Sequence, residues 1–214
     1  VLENILAGTA LSGRFCALLP THLLTQRKTI PMSLTAQQIQ AGTGATAARA
    51  ALWQPHLNLA CVLFSIDSPK RQAAFLAQIG HESGHLVYVR EIWGPTATQS
   101  RYEGRASLGN TQPGDGKRYM GRGLIQTTGR ANYCATRDGL QEFLMSVPDF
   151  EASPAELEKP DMAAMSAAWY WYSHDLNALA DIGDFRNITL KINGGLNGFT
   201  ERQALYRAAT LALG

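Results

Sequence analysis

Three carboxylates in the middle of the chain stand where acid–base chemistry can be built. Glu82 lies in Phe75-Leu-Ala-Gln-Ile-Gly-His-Glu-Ser-Gly84, Glu91 follows nine residues later, and Glu103 sits in Tyr102-Glu-Gly-Arg105. Hydrolysis of a glycosidic bond uses one carboxyl to protonate the departing oxygen and another to activate water or attack the sugar. On a helix, Phe75, Leu76 and Ile79 form one apolar arc, with Glu82 just past its edge and His81 on the far side. A carboxyl at that core margin loses hydration, which favours the protonated form that a general acid must supply. The plainer reading is a solvated Glu at a helix end. Gly84 breaks the helix, so the chain can fold back and face Glu91 across a cleft. Glu103 competes for the partner role, although neighbouring Arg105 also suits a structural ion pair.

The same segment spells HExxH from His81 to His85, a helical pattern in which two histidines one turn apart bind zinc and the Glu is the base of a metallopeptidase. Gly84 weakens the helix where the second ligand must be held, and no metzincin-type third histidine follows. The histidines therefore read as exposed or wall-forming, and no metal or other cofactor is expected. Gly121-Arg-Gly-Leu-Ile-Gln126-Thr-Thr128 suits a turn or strand lining a polar cleft, where Gln126 can bind sugar amides or hydroxyls and Thr128 can hold a water. An ordinary turn with locally bonded hydroxyls is the alternative. Asn193-Gly-Gly-Leu-Asn197-Gly198 demands a tight bend or close ligand approach, and its Asn side chains fit an N-acetyl group or a plain turn. Trp93, Tyr102, Tyr119, Trp169 and Trp171 are candidate sugar-stacking rings, of which Trp169 and Trp171 read better as packing residues.

The elements that position these residues are helical, with few period-two stretches. Ser68-Pro69 opens a helix running to about residue 83, with Gly84 as its stop. Thr200-Glu-Arg-Gln203 has the form of a capping box for a last helix to about residue 213, Ser153-Pro-Ala-Glu156 repeats that signature, and 161–174 is a further helix. Residues 94–129 are rich in Gly, Pro, Asn, Asp and Arg, a long turn-rich stretch where a substrate groove belongs. Gly42-Thr-Gly-Ala-Thr46 reads as a loop or helix start.

The chain has 214 residues, 45% hydrophobic and 17% charged, with a formal net charge of +2. That composition is globular, and without concentrated Lys/Arg runs it gives no sign of nucleic-acid binding. No apolar run reaches the roughly 20 residues of a membrane-spanning helix, so no membrane insertion is expected. Cys16, Cys61 and Cys134 are odd in number and widely spaced, and read as reduced packing residues. Residues 1–31 look like a leader or added extension before Met32, with 32–214 the catalytic domain and a monomer the expected state.

Together the motifs resemble glycoside hydrolase family 19, the chitinases and related phage endolysins of the lysozyme-like superfamily. The resemblance covers about 34–213 and is carried, in the family's order, by the Glu82 segment, Val87-Tyr-Val-Arg-Glu91, Tyr119-Met-Gly-Arg-Gly-Leu-Ile-Gln-Thr-Thr128 and Ile192-Asn-Gly-Gly-Leu-Asn-Gly198. It implies a mainly α, two-lobed lysozyme-like domain with a central cleft and at most a small β-hairpin. It assigns the general acid to Glu82, the base to Glu91, with Glu103 the alternative, the positioning of the attacking water to Thr128, and substrate contacts to Gln126 and Asn193. Thr128 stands where plant members carry Ser. The implied reaction is metal-free inversion at β-1,4 bonds of an N-acetylglucosamine polymer. The segment Tyr102-Glu-Gly-Arg … Leu108-Gly-Asn … Pro113-Gly-Asp-Gly-Lys-Arg is more similar to endolysins, favouring peptidoglycan over chitin as the polysaccharide partner. A cytoplasmic enzyme released to the wall by a holin, rather than a secreted one, is the matching expectation.

Overall fold

A helix that is buried on every side organises the molecule. The computed structural model describes residues 33–214, so the expectations for 1–31, Met32 and Cys16 lie outside the described residues. Ten α-helices occur among them: α1 Ala36–Thr43, α2 Ala47–Leu63, α3 Pro69–Glu82, α4 Ala97–Ser100, α5 Asp115–Arg118, α6 Arg130–Gln141, α7 Pro160–Ser173, α8 Leu176–Asp181, α9 Phe185–Asn193 and α10 Phe199–Leu213. Short 3-10 turns cover Ala106–Leu108 and Pro154–Glu158. The expected mainly α, lysozyme-like class holds. The hairpin allowed for is reduced to two isolated antiparallel bridges, Arg90 with Arg122 and Arg122 with Thr127.

The α3 boundaries follow from its end chemistry. The Ser68 side chain accepts from the Arg71 N–H, Pro69 fills the first turn, and Ser83 ends the helix before Gly84 at φ 55°. Residues Gln72 through Gly80 are all buried, so the single apolar arc read from the sequence understates the packing. The reason is tertiary: α1, α8 and α10 close around α3. Gln78, drawn inside with the apolar residues, is satisfied at both ends of its amide: it donates to Thr189 Oγ1 at 2.8 Å and accepts from Arg202 Nη1.

Other ends differ from the sequence reading. α10 starts two residues earlier than expected, capped by Gly198 at φ 70° with no side-chain bond, so Thr200 is not an N-cap. Ser153 likewise caps nothing, and Pro154–Glu158 winds as a 3-10 turn instead of an α-helix. The unread capping boxes are Thr35 with Gln38 and Thr96 with Gln99. Gly42-Thr-Gly-Ala-Thr46 closes α1 through Gly44 and opens α2 through Thr46. Trp171 is fully buried, its ring edge-on to Phe75 at 5.4 Å, as a packing residue should be. Cys61 is a buried free thiol that burial pushes up to about 12.

α3 meets α1 so closely at Gly80 that a Cβ there would lie 2.6 Å from the Thr43 Cα. Main chain cannot swing aside as a side chain would. Gly80→Ala should therefore lower stability by about 1–3 kcal/mol, the usual cost of overpacking, and shift Glu82 two residues downstream. Urea unfolding and activity measured together will show both losses.

Candidate active site

The chemistry-bearing end of α3 is tied to α10 by one buried guanidinium. Glu82 is the last α3 residue, and its side chain is 19% exposed. Arg202, buried on α10, donates Nη2 to Glu82 Oε1 at 2.5 Å, Nη1 to Gln78 Oε1 at 2.5 Å and Nε to the Asn197 carbonyl at 3.2 Å. Oε2 of Glu82 has no hydrogen bond among the described residues and is the oxygen left open to a ligand. Sequence reasoning missed both Arg202 and Gln78. A signal existed: Arg202, Leu205, Ala209 and Leu213 form one inward stripe of α10, and a charge heading such a stripe needs a buried carboxylate partner.

The HExxH spacing does not make a zinc helix. α3 ends at Glu82, and Gly84, His85 and Leu86 all have φ between 55° and 64°, which takes His85 off the helix. His85 Nδ1 lies 2.8 Å from the Thr43 carbonyl, while Glu82 is turned to Arg202. Both histidines instead approach Glu201: His81 Nδ1 at 3.1 Å without hydrogen-bond alignment, and His85 Nε2 at 3.6 Å. Burial, reinforced by the nearby Arg202 charge, holds the His81 imidazole below its ordinary value.

Glu91 is fixed by three donors from three segments. Its Oε1 accepts from Gln99 Nε2 at 2.9 Å and from the Tyr102 hydroxyl at 3.4 Å, and Oε2 accepts from the Gly121 N–H at 3.1 Å. Burial and then the Glu91 charge push the Tyr102 phenol upward, so it stays protonated as a donor. Gln99, also missed in the sequence, is buried and folds the loop around Glu91: its carbonyl oxygen accepts from the Gly94 and Thr96 N–H groups, and its amide also donates to the Ile92 carbonyl. The Thr96-x-x-Gln99 pattern was the available clue.

Gly121 joins Glu91 to the other expected contacts. A Cβ on it would stand 2.8 Å from Gln126 Oε1 and 3.2 Å from Thr128 Oγ1, so glycine is what lets those side chains gather beside the Glu91 clamp. Thr128 donates its hydroxyl proton to the Gln126 carbonyl at 2.8 Å, which leaves the oxygen's lone pairs to accept from a water. Gln126 and Thr128 line a cavity of about 490 Å³ with Trp169, Tyr170 and Ile192. Tyr170 is near enough to Glu82 for that carboxylate to add to the upward shift its phenol owes chiefly to burial. Neither Glu82 nor Glu91 is among the residues that line this cavity; Glu91 lines a separate groove.

The remaining candidates divide. Trp93 is half-buried beside Glu91, 6.3 Å from the Tyr102 ring, in a groove of about 610 Å³. Asn193 carries a buried Nδ2 with no hydrogen-bond partner, an unpaired donor of the sort a ligand carbonyl would satisfy. Tyr119 must be corrected: it is 1% exposed, packed edge-on to Tyr133 and covered by the Arg130 guanidinium, so it has no open face for a sugar. Glu103 binds the Gly114 and Gly116 N–H groups at 2.6 and 2.8 Å, holding the turn before α5 rather than pairing with Arg105.

Known proteins are similar to this chain in sequence and in fold. Over 166 residues, 64% of this chain, the sequence is 34% identical to a glycosyl hydrolase family 19 domain-containing protein of Haemophilus influenzae, and the match covers 78% of that protein. The chain belongs to glycoside hydrolase family 19. Endochitinase At2g43610 of Arabidopsis thaliana is 37% identical over 123 residues, 58% of this family 19 chain but only 39% of the plant protein. The fold matches a bacterial family 19 chitinase (TM-score 0.62, 24% identity, 85% of this chain and 95% of that one) and chitinase C from Streptomyces griseus HUT6037 (0.67, 22%, 87% and 95%). No family profile matches the chain.

Two measurements test the geometry of this family 19 site. Gln99→Leu removes a donor to a charged group, worth about 1.5–3 kcal/mol, and should lower kcat roughly ten- to hundredfold with KM less affected. For His81, the folded value lies below the ordinary value of about 6.5, so between the two the unfolded chain binds more protons and stability rises with pH. Acidification through about 6.5 should remove stability until the folded value is passed. Urea midpoints from pH 8 to 5 should show this decline, and His81→Asn should flatten it.

Proposed function

We propose that the protein is an inverting glycosidase cleaving β-1,4 bonds of an N-acetylglucosamine-containing wall polymer, with peptidoglycan the favoured substrate. The observation that carries this reading is a carboxylate, Glu91, held by three donors beside a threonine whose hydroxyl hydrogen is already committed to its own loop. A water between them gives one hydrogen to Glu91 and the other to Thr128 Oγ1, which turns an oxygen lone pair toward the anomeric carbon. Glu82 Oε2 gives its proton to the departing glycosidic oxygen as the C–O bond breaks. The new bond to water forms from the opposite face, and Glu91 removes the water's proton, so the β-linkage yields an α-product. Arg202 keeps Glu82 Oε1 fixed while Oε2 transfers the proton. The unpaired Asn193 amide and Gln126 serve the N-acetyl groups and hydroxyls.

A second reading, chitin as substrate, is favoured by the Arabidopsis relative's name as an endochitinase. Both polymers present the same β-1,4 N-acetyl sugars, so the carboxylates alone do not choose between them. A cytoplasmic enzyme released to the wall goes with the peptidoglycan reading.

Purified peptidoglycan and colloidal chitin digested in parallel, with products read by mass spectrometry and anomers by NMR, should give faster release from peptidoglycan and an initial α-anomer. Glu82→Gln and Glu91→Gln should each cut kcat by at least about 10² while leaving glycan binding in place. An initial β-anomer would falsify the inverting mechanism.

A further inference from the structure

The groove of about 610 Å³ on the Glu91 side is lined by the extended segment 87–93 together with Lys117, Met120 and Glu158. Its apolar surface is open: Tyr88 is 49% and Ile92 73% exposed, and Trp93 sits half-buried with its ring 6.3 Å from that of Tyr102. Exposed rings and aliphatic groups continuous with a reactive carboxylate form a floor on which the apolar faces of a sugar strand can lie.

The charges on the groove are unevenly committed. Glu158 is taken by Arg122 at 2.7 Å, with Arg90 standing off at 3.6 Å. Glu91 is enclosed by its three donors. Lys117 is exposed, and its ammonium has no ion-pair or hydrogen-bond partner among the described residues. What faces an occupant beyond Glu91 is therefore a free ammonium with a loosely held guanidinium. A strand built only of N-acetylglucosamine is uncharged and gives these groups nothing to bind. A strand whose sugars carry peptide substituents ending in carboxylates does.

We propose that this groove is a subsite for a peptide-substituted sugar and that Lys117, assisted by Arg90, binds a carboxylate of the substituent. The inference rests on the peptidoglycan reading above and gives it a specificity determinant.

The test compares native peptidoglycan with the same material after its carboxyl groups are converted to amides by carbodiimide and ammonia. At low salt the wild-type enzyme should cleave the native form about three- to fivefold better in kcat/KM, as expected of an exposed ion pair. The ratio should fall toward one at high salt, where such pairs are screened. K117Q should bring the low-salt ratio close to one, and K117E should invert it. The Lys117 side chain makes no hydrogen bond or ion pair among the described residues, so both variants should fold as the wild type does. Equal cleavage of the two forms by the wild type, or an unchanged ratio in K117Q, overturns the subsite while leaving the peptidoglycan reading intact. Cleavage of chitin with neither form of peptidoglycan attacked overturns both.

Discussion

The fold and the candidate chemistry both depend on the Arg202 guanidinium, buried between α10 and α3. Taking a charged side chain out of water costs several kcal/mol unless its donors are filled. Here Glu82, Gln78 and the Asn197 carbonyl fill them at once. A planar, five-donor fork can make that set of bonds, whereas a lysine ammonium could not reach all three directions. Helix α10 is consequently registered on α3 by directional bonds as well as by apolar packing. Glu82 is held at the helix end with one oxygen occupied and the other open.

The stretch that holds Glu91 is built differently, with little regular structure. The stretch 83–129 holds only two four-residue helices and a short 3-10 turn. Order comes instead from side chains that satisfy main-chain groups. Gln99 binds the 92–96 backbone, Glu103 the 114–116 turn, and Asn110 both the Tyr102 carbonyl and the Arg130 N–H. Arg130 in turn joins Asp115 and Glu151, and that partnership holds both carboxyls below their usual range. Loops fixed in this way can present Glu91, Tyr102 and the Gly121 N–H as a rigid group, as a positioned base requires. They also account for the dense polar composition of this stretch, which is internal bonding as much as ligand contact.

Helix α3, the helical class and the positions of Glu82, Glu91, Gln126, Thr128 and Asn193 were legible because each leaves a local mark: an N-cap and first-turn proline, a glycine stop, a carboxylate beyond it, glycine-rich turns. The roles of Tyr119 and Glu103 were not. An aromatic ring or a carboxylate reads the same whether it meets a ligand or the protein's own interior, and only burial by Tyr133 and Arg130, or bonding to Gly114 and Gly116, separates the cases. The capping-box reading at Thr200 failed for a related reason. Gly198 could take a left-handed conformation that starts α10 earlier, and the pattern carries no record of φ.

By itself the sequence determined which chemistry was available, because residue type and spacing fix where carboxylates, amides and hydroxyls occur along the chain. It also determined that helices would carry much of it, because caps and apolar periodicity act within a few residues. Tertiary structure alone decided that His85 leaves the helix, that Arg202 faces Glu82, and that Gln99, Tyr102 and Gly121 converge on Glu91. Arg202 and Glu82 are 120 residues apart. Interactions of that kind depend on which surfaces meet when helices pack, and no local pattern encodes the meeting.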